Sequence, residues 1–312
     1  MTKKTIINYL LLLGIGITWG SQFIFNNIAI TTLPPYAVAA SRTIIAGLCL
    51  VILTLFIKDN RKTKYTKKIS NTINPPSKLP SKLSIRIKYL LIALFEAILP
   101  FYLMAWGQQY VDSSITAILI GTMPIFTGLL VTLFIAHEKL SKGMALSIFF
   151  GFIGLLVLLW PSLSHADTTH LLAEGAILAG ALSFAIALVL IQTLPKVSPV
   201  HMTKNIFLIA SVPLMLNILI FHPHCFENIN FSSFLSILAL GIFCSALAYT
   251  MFVTLISLAG AAFTSLSNYL VPIFGTLLGV VLLGDHINLN MILALIIILG
   301  SLIIAKLPML NK

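Results

Sequence analysis

Apolar runs of about 20 residues, separated by short polar breaks, divide most of this chain of 312 residues. A run of that length crosses a bilayer as an α-helix. Because lipid offers no hydrogen-bond partners to backbone N–H and C=O groups, a spanning segment must be a helix or part of a closed barrel. Barrel strands would show about 10 residues of alternating polarity, whereas these runs are continuously apolar. The chain is therefore predicted to be an all-α polytopic membrane protein.

The charge content supports that class and excludes others. Charged residues make up 9% of the chain, against about 25% in a soluble domain, so the chain cannot cover a water-facing surface. The net charge of +11 does not indicate nucleic-acid binding, because the basic stretch lacks a series of aromatic residues to stack bases. The cysteines have no metal or disulfide spacing, and no phosphate-binding glycine loop is present. We expect no cofactor and no metal.

Turn-forming residues between the runs separate ten predicted crossings. They are residues 6–27, 36–57, 89–110, 114–136, 143–160, 172–194, 205–221, 234–258, 262–283 and 291–307.

The lysines and arginines give these crossings an orientation. With the N-terminus inside, every lysine and arginine except Arg42 falls in an inner segment. The outer segments hold no lysine or arginine, and they contain acids such as Asp167 and Asp285. Basic residues near crossings favour the cytoplasmic side. Both termini are therefore predicted to be cytoplasmic, in a bacterial inner membrane.

The loop 58–88 holds ten of the 19 basic residues. Its central part is rich in Pro, Ser, Lys and Asn, a composition that predicts disorder. Two interpretations stay open. The loop is either a solvated segment that fixes the topology or a contact for anionic lipids of the inner leaflet, at roughly 1 kcal/mol per basic residue.

The two halves of the chain, residues 1–160 and 161–312, resemble each other. Pro124-Ile125-Phe126 aligns with Pro272-Ile273-Phe274, and an acid follows each motif, Glu138 in one half and Asp285 in the other. Each half has five predicted crossings. Because five is odd, the second copy must be inverted in the membrane, an arrangement typical of secondary transporters with a substrate site near the midplane.

The order of several motifs resembles that of EamA-type transporters of the drug/metabolite transporter superfamily. The motifs are Trp19-Gly20-Ser21 with Phe23, Pro34-Pro35 with Arg42, Pro100 to Gly107, and the two Pro-Ile-Phe helices that end in an acid. The resemblance covers both halves and implies ten transmembrane helices in two inverted five-helix repeats that transport small organic solutes, often outward. The sequence departs from the family in its longer basic loop and in having Asp285 where glutamate is usual.

Glu96 and Arg42 are the charged residues that fall deep in crossings. Glu96 lies roughly 12 Å beyond Lys88 at 1.5 Å per residue. An intramembrane carboxyl group is costly and normally faces a bundle interior or cavity. Glu96 is a candidate for proton coupling or substrate binding, or else a structural tie between helices. Arg42 has three possible roles: a structural anchor, a partner of Glu96, or a contact for a carboxylate substrate.

Other polar and aromatic residues are candidates to line a cavity, with helix packing as the alternative. They are Trp19, Gln22 and Asn26 on one face of the first helix, Trp106 in the third, Tyr249 in the eighth, and Ser265, Asn268 and Tyr269 in the ninth. Pro124 and Pro272 remove backbone donors and are candidate hinges or static bends.

These features together predict a secondary transporter, not an enzyme. Its substrates are predicted to be small organic metabolites, such as amino acids or related amphiphiles, or xenobiotics, with efflux by alternating access. An importer or exchanger of the same fold is the alternative. A membrane-embedded enzyme is disfavoured because it would need more acids or histidines at mid-depth. Whether the protein is a monomer or a homodimer stays open.

Overall fold

The structure, a computed structural model, describes residues 3–56, 82–134, 142–165, 167–194, 198–259 and 261–304. Within these ranges the regular structure is entirely helical. Most of the basic loop and the acid Glu138 lie outside the described residues.

Residues before 165 form seven α-helices among the described residues. They are α1 (Lys3–Ala29), α2 (Pro35–Phe56), α3 (Lys82–Ala93), α4 (Leu99–Gly107), α5 (Ser113–Ile120), α6 (Met123–Phe134) and α7 (Lys142–Ser164). A π-helical turn, Leu94–Ile98, joins α3 to α4.

Seven more α-helices follow in the described part of the second half. They are α8 (Thr168–Gln192), α9 (Pro199–Phe221), α10 (Phe231–Gly241), α11 (Ala248–Ala259), α12 (Ala261–Thr264), α13 (Ser267–Leu278) and α14 (Leu289–Ile304). The π-helical turn Ile242–Leu247 joins α10 to α11, and a third, Gly279–Leu283, follows α13.

Eight helical stretches of the described chain are long and apolar enough to cross a membrane. They are Thr5–Ala29, Pro35–Phe56, Ile85–Gly107, Ser113–Val131, Lys142–Ser164, Thr168–Gln192, Pro199–Phe221 and Phe231–Ile256. Two further apolar helical stretches, Ser267–Leu283 and Leu289–Ile304, are shorter. The predicted class, an all-α polytopic membrane protein, is confirmed.

Helices from the two halves pack directly on one another. Helix α1 contacts α10 and α13, α2 contacts α9, α4 contacts α8, α5 contacts α13, and α7 contacts α14. Small residues permit this close approach. At Gly20 of α1 a Cβ atom would lie only 2.7 Å from Cβ of Phe274 in α13, so a larger side chain would push the two helices apart.

The predicted continuous crossings 114–136 and 262–283 are each interrupted. Helix α5 ends at Ile120, and α6 begins at Met123, just before Pro124. The physical reason is local, because a proline ring clashes with the carbonyl four residues earlier, which here belongs to Ile120. In the second half, i→i+3 backbone bonds such as Leu266 N–H to Phe263 O (3.1 Å) tighten the chain between α12 and α13.

Two predicted boundaries are corrected. The loop predicted for residues 58–88 ends earlier, because residues from Lys82 onward are already helical. Lys88 contacts the C-terminal end of α8, where its Nζ donates to the Thr193 carbonyl at 3.0 Å, a favourable place for a cation. The crossing predicted to end at residue 160 is also longer than predicted, since α7 continues through Pro161 to Ser164.

Candidate functional site

Two π-helical turns bring polar side chains into the core. The turn Leu94–Ile98 contains Glu96, which is 9% exposed, and the turn Ile242–Leu247 contains Ser245, which is fully buried. A π-turn inserts one residue into a helix and occurs frequently at functional sites. The second turn contacts the buried side chain of Arg42 through Ser245, and the first turn packs against α2, the helix that contains Arg42. The six residues Gln22, Arg42, Glu96, Phe101, Ser245 and Tyr249 are called the central polar cluster below.

Arg42 holds the first part of this cluster together. Its Nε donates to Ser245 Oγ at 2.8 Å, and its Nη2 donates to Gln22 Oε1 at 2.8 Å. Its Cζ lies 3.9 Å from the ring centroid of Phe101, a cation–π contact. Its third nitrogen, Nη1, is enclosed by protein and has no acceptor. The guanidinium is therefore fixed in position with one donor group unused.

Glu96 holds the second part, together with Tyr249. The Tyr249 hydroxyl donates a hydrogen bond to Glu96 Oε1. The Tyr249 ring makes edge contacts with Trp19 (centroids 5.6 Å apart) and Phe207 (5.5 Å). Phe207 in turn stacks on Phe101 at 6.3 Å. Aromatic rings thus connect the carboxyl group to the guanidinium.

Five of the sequence-predicted residues meet here: Trp19, Gln22, Arg42, Glu96 and Tyr249. The pairing of Arg42 with Glu96 stays a prediction. In the structure each residue has other hydrogen-bond partners, which favours the other two roles of Arg42.

Asn26 belongs to a different buried network. Its Nδ2 donates to Gln108 Oε1 at 2.6 Å, and Gln108 Nε2 donates to the Phe23 carbonyl (3.0 Å) and to Ser113 Oγ (3.1 Å). The amide groups are used to join α1, the end of α4 and the start of α5. Cavity lining by Asn26 stays a prediction, and the described contacts favour the helix-packing alternative.

The remaining predicted residues have other surroundings. Trp106 makes an edge contact with Tyr110, with ring centroids 5.7 Å apart. Tyr269 donates to the Leu302 carbonyl of α14 at 2.6 Å. Ser265 and Asn268 are joined by a backbone bond of 3.2 Å at the interruption before α13. Their part in a cavity stays a prediction.

The sequence missed Ser245, Phe207 and Gln108. A signal existed for Ser245, which precedes Tyr249 by four residues and therefore lies on the same helix face. In the sequence, Phe207 lies in an apolar run and Gln108 lies beside another glutamine. Neither position distinguishes the residue from an ordinary packing residue.

A second polar site joins the halves at the start of α5. Asp285 Oδ2 accepts hydrogen bonds from the backbone N–H of Ser114 (2.7 Å) and from its hydroxyl (2.5 Å). The left-handed residue Gly284 (φ 74°) turns the chain immediately before Asp285. Nearby, burial and repulsion by Asp285 raise the pKa of Asp112, and His286 and His170 oppose this shift.

Comparisons with known proteins find similarity to membrane transporters. A sequence profile of the EamA-like transporter family matches residues 6–160 and 171–306. An uncharacterized transporter from the trpA 3' region of Buchnera aphidicola subsp. Schlechtendalia chinensis is 26% identical over 99% of this chain and 95% of its own. The uncharacterized transporter YoaV of Bacillus subtilis is 22% identical over 92% of each chain. One solved crystal structure superimposes with a TM-score of 0.60 at 17% identity, covering 99% of this chain and 98% of that chain, which supports the fold.

Proposed function

Because the chain belongs to the EamA-like transporter family, we propose that it is a secondary transporter that exports small organic solutes by alternating access. The substrates in this proposal are amino acids or related amphiphiles, or xenobiotics. The membrane is a bacterial inner membrane with both termini on the cytoplasmic side, as the distribution of basic residues favours.

The central polar cluster is the observation that carries the proposal. Polar and charged groups inside a membrane protein are costly and are typical of substrate or ion pathways. Here a guanidinium and a carboxyl group lie within one apolar core, beside two π-turns that belong to different halves of the chain. A substrate site between the halves accounts for this arrangement.

The proposal includes ten crossings in two inverted repeats, residues 1–160 and 161–312. Three features support the duplication. The family profile matches each half, the third helical stretch of each half contains a π-turn, and the fourth of each half is interrupted near a Pro-Ile-Phe motif. An inverted pair of this kind places the substrate at the interface of the repeats.

Alternating access requires that the halves move relative to each other near this interface. At Gly121, in the interruption between α5 and α6, a Cβ atom would lie 3.0 Å from Cβ of Pro272 in α13. The interruption in the first half therefore packs against the proline of the second. Pro124 and Pro272 are the proposed hinges, because each removes a backbone donor.

Glu96 is the proposed proton-coupling group. Its carboxyl group is buried in the core and is held by Tyr249. A carboxyl group that exchanges a proton during each transport cycle links export to the proton gradient.

Export of metabolites from cells with and without the protein tests the function. We expect specific compounds to accumulate outside only the cells that contain it. Liposomes containing the purified protein should then release these compounds at a rate that depends on the pH gradient, and Glu96→Gln should remove that dependence. Glu227→Gln, at an exposed acid paired with His224, is the matched control. Unchanged pH dependence in Glu96→Gln would exclude Glu96 from the mechanism.

A further inference from the structure

Arg42 carries a buried positive charge without a counter-ion in the part of the chain that the structure describes. Its side chain is 2% exposed. The pairs His170–Asp167 and His224–Glu227 lie on exposed surface away from Arg42. A charge removed from water is normally paired with an opposite charge, because an isolated buried ion is strongly disfavoured. In this structure the Arg42 guanidinium therefore lacks the anionic partner that a buried charge normally has.

The groups that bind Arg42 are all uncharged. Ser245 Oγ accepts from Nε, Gln22 Oε1 accepts from Nη2, and the ring of Phe101 covers one face of the guanidinium. Nη1 has no acceptor at all. A guanidinium presents two parallel N–H donors to a carboxylate, and such charge-assisted pairs are about twice as strong as bonds between neutral groups.

We propose that Arg42 binds the carboxylate of the transported substrate, and that Gln22 Oε1 takes the place of one carboxylate oxygen while the site is empty. This inference rests on the proposed transport function. The carboxylate bonds Nη1 and Nη2 and displaces Gln22, whereas Ser245 keeps its bond to Nε and holds the guanidinium plane. Because Phe101 covers one face, the carboxylate approaches in that plane.

The surroundings of Arg42 also define the rest of the substrate. Phe101, Phe207 and Tyr249 form a continuous aromatic surface beside the guanidinium. The substrate class is therefore a small carboxylate with an apolar body, and amines or uncharged solutes without an acid group are excluded. Since Nη1 is enclosed by protein, the carboxylate enters only when the helices around Arg42 separate, as alternating access requires.

The experiment uses the full chain in liposomes loaded with the small-molecule fraction of a bacterial cell extract, which contains carboxylates, amines and uncharged metabolites. Mass spectrometry identifies the compounds that leave. We expect the released compounds to be carboxylates, and Arg42→Gln to abolish their release. Arg86→Gln, the same change at an exposed arginine, is the matched control and should release them as the wild type does.

Two further measurements decide the matter if Arg42→Gln fails to fold. For a released carboxylate, its primary amide should leave the wild-type liposomes at least about ten-fold more slowly, because it has no negative charge for Arg42. Gln22→Ala keeps Arg42 and removes the competing acceptor. It should lower the half-saturating concentration of the carboxylate about five-fold.

The possible failures are distinguishable. If amines or uncharged compounds leave, and carboxylates do not, the transport function stands and the carboxylate inference is overturned. Equal release of acid and amide, or no change in half-saturation with Gln22→Ala, overturns it as well. If wild-type liposomes release nothing beyond protein-free liposomes, the proposed transport function itself fails, and the inference fails with it.

Discussion

Asp285, near the end of the chain, caps the first turn of the helix that begins at Ser113, through two hydrogen bonds to Ser114, 171 residues earlier. A carboxylate is favoured at a helix N-terminus because the N–H groups there lack partners within the helix. Gly279 packs closely against this pair of residues. A Cβ atom at Gly279 would lie 2.6 Å from both Asp285 Oδ2 and Ser114 Oγ. The two halves of the chain are thus joined at a point where no larger residue than glycine can stand.

Asp285→Ala should therefore destabilise the protein. It leaves the backbone N–H of Ser114 without its acceptor and leaves the Ser114 hydroxyl with only its longer bond to the Thr276 carbonyl (3.4 Å), at a cost of about 1–2 kcal/mol. Thermal unfolding in detergent measures the effect. Glu227→Ala removes an acid that bonds only His224 on the exposed surface and should change the unfolding temperature little. Equal unfolding temperatures for the two variants would contradict a capping role.

We expect Asp112 to make the stability of the protein depend on pH. Burial and repulsion by Asp285 raise the pKa of Asp112, so folding favours its protonated form. The wild type is then expected to lose stability as pH rises through the titration of this group, from about pH 4 upward. Asp112→Asn cannot ionise, so it should be the more stable protein at neutral pH. The difference between the two unfolding temperatures should vanish below about pH 4, and a difference that stays constant with pH would contradict this assignment.

The sequence indicated the charged members of the central polar cluster but not their partners. Arg42 and Glu96 stand out because few charged residues fall inside the apolar runs. Ser245, 203 residues from Arg42, is marked only by its position four residues before Tyr249, and a serine in a membrane helix usually bonds its own backbone. The π-turns could not be predicted either. A helix that is apolar on most sides has little hydrophobic periodicity, so an inserted residue does not visibly shift its pattern.

Local chemistry explains the other differences. Pro124 predicted a bend, and the helix instead ends at Ile120. The proline ring would clash with the Ile120 carbonyl, and the adjoining Gly121 and Thr122 have low helix propensity. Asp285 was recognised as a repeated acid at a helix end. Its partner Ser114 lies at the start of another helix, so the bond depends on how the halves pack, which the sequence does not specify.

Close packing of α1 on α13 should be sensitive to a single methyl group. At Gly20 an added Cβ would lie 2.7 Å from Phe274 Cβ and 3.0 Å from the backbone nitrogen of Gly275, which cannot move aside. Gly20→Ala should cost about 1–3 kcal/mol of stability. Gly175→Ala is the matched control, because no atom lies within 4 Å of its added Cβ, and it should stabilise α8 by up to about 1 kcal/mol. Thermal unfolding should separate the two variants in opposite directions from wild type, and similar losses in both would contradict the packing argument.

Variants at Glu96 and Tyr249 should separate hydrogen bonding from ionisation. Glu96→Gln retains an oxygen that accepts from the Tyr249 hydroxyl, so its unfolding temperature should stay near that of wild type. Tyr249→Phe keeps the ring contacts with Trp19 and Phe207 but leaves a buried carboxyl oxygen without its donor. This change should cost about 1–2 kcal/mol. If Glu96→Gln is the less stable of the two variants, the hydrogen bond is not the main stabilising interaction between Glu96 and Tyr249.

The proposed orientation places Asp167 and Ser77 on opposite faces of the membrane. Asp167 precedes α8 on the predicted outer side, and Ser77 belongs to the basic loop, outside the described residues. Single cysteines at these positions, in a chain whose Cys49, Cys225 and Cys244 are replaced by serine or alanine, should respond differently to a thiol reagent that cannot cross the membrane. In intact cells with a permeable outer envelope, the cysteine at position 167 should react and the one at 77 should react only after lysis. Because an odd number of crossings must separate the two positions, labelling of both from the same side would overturn the inverted arrangement and, with it, a site shared between oppositely oriented halves.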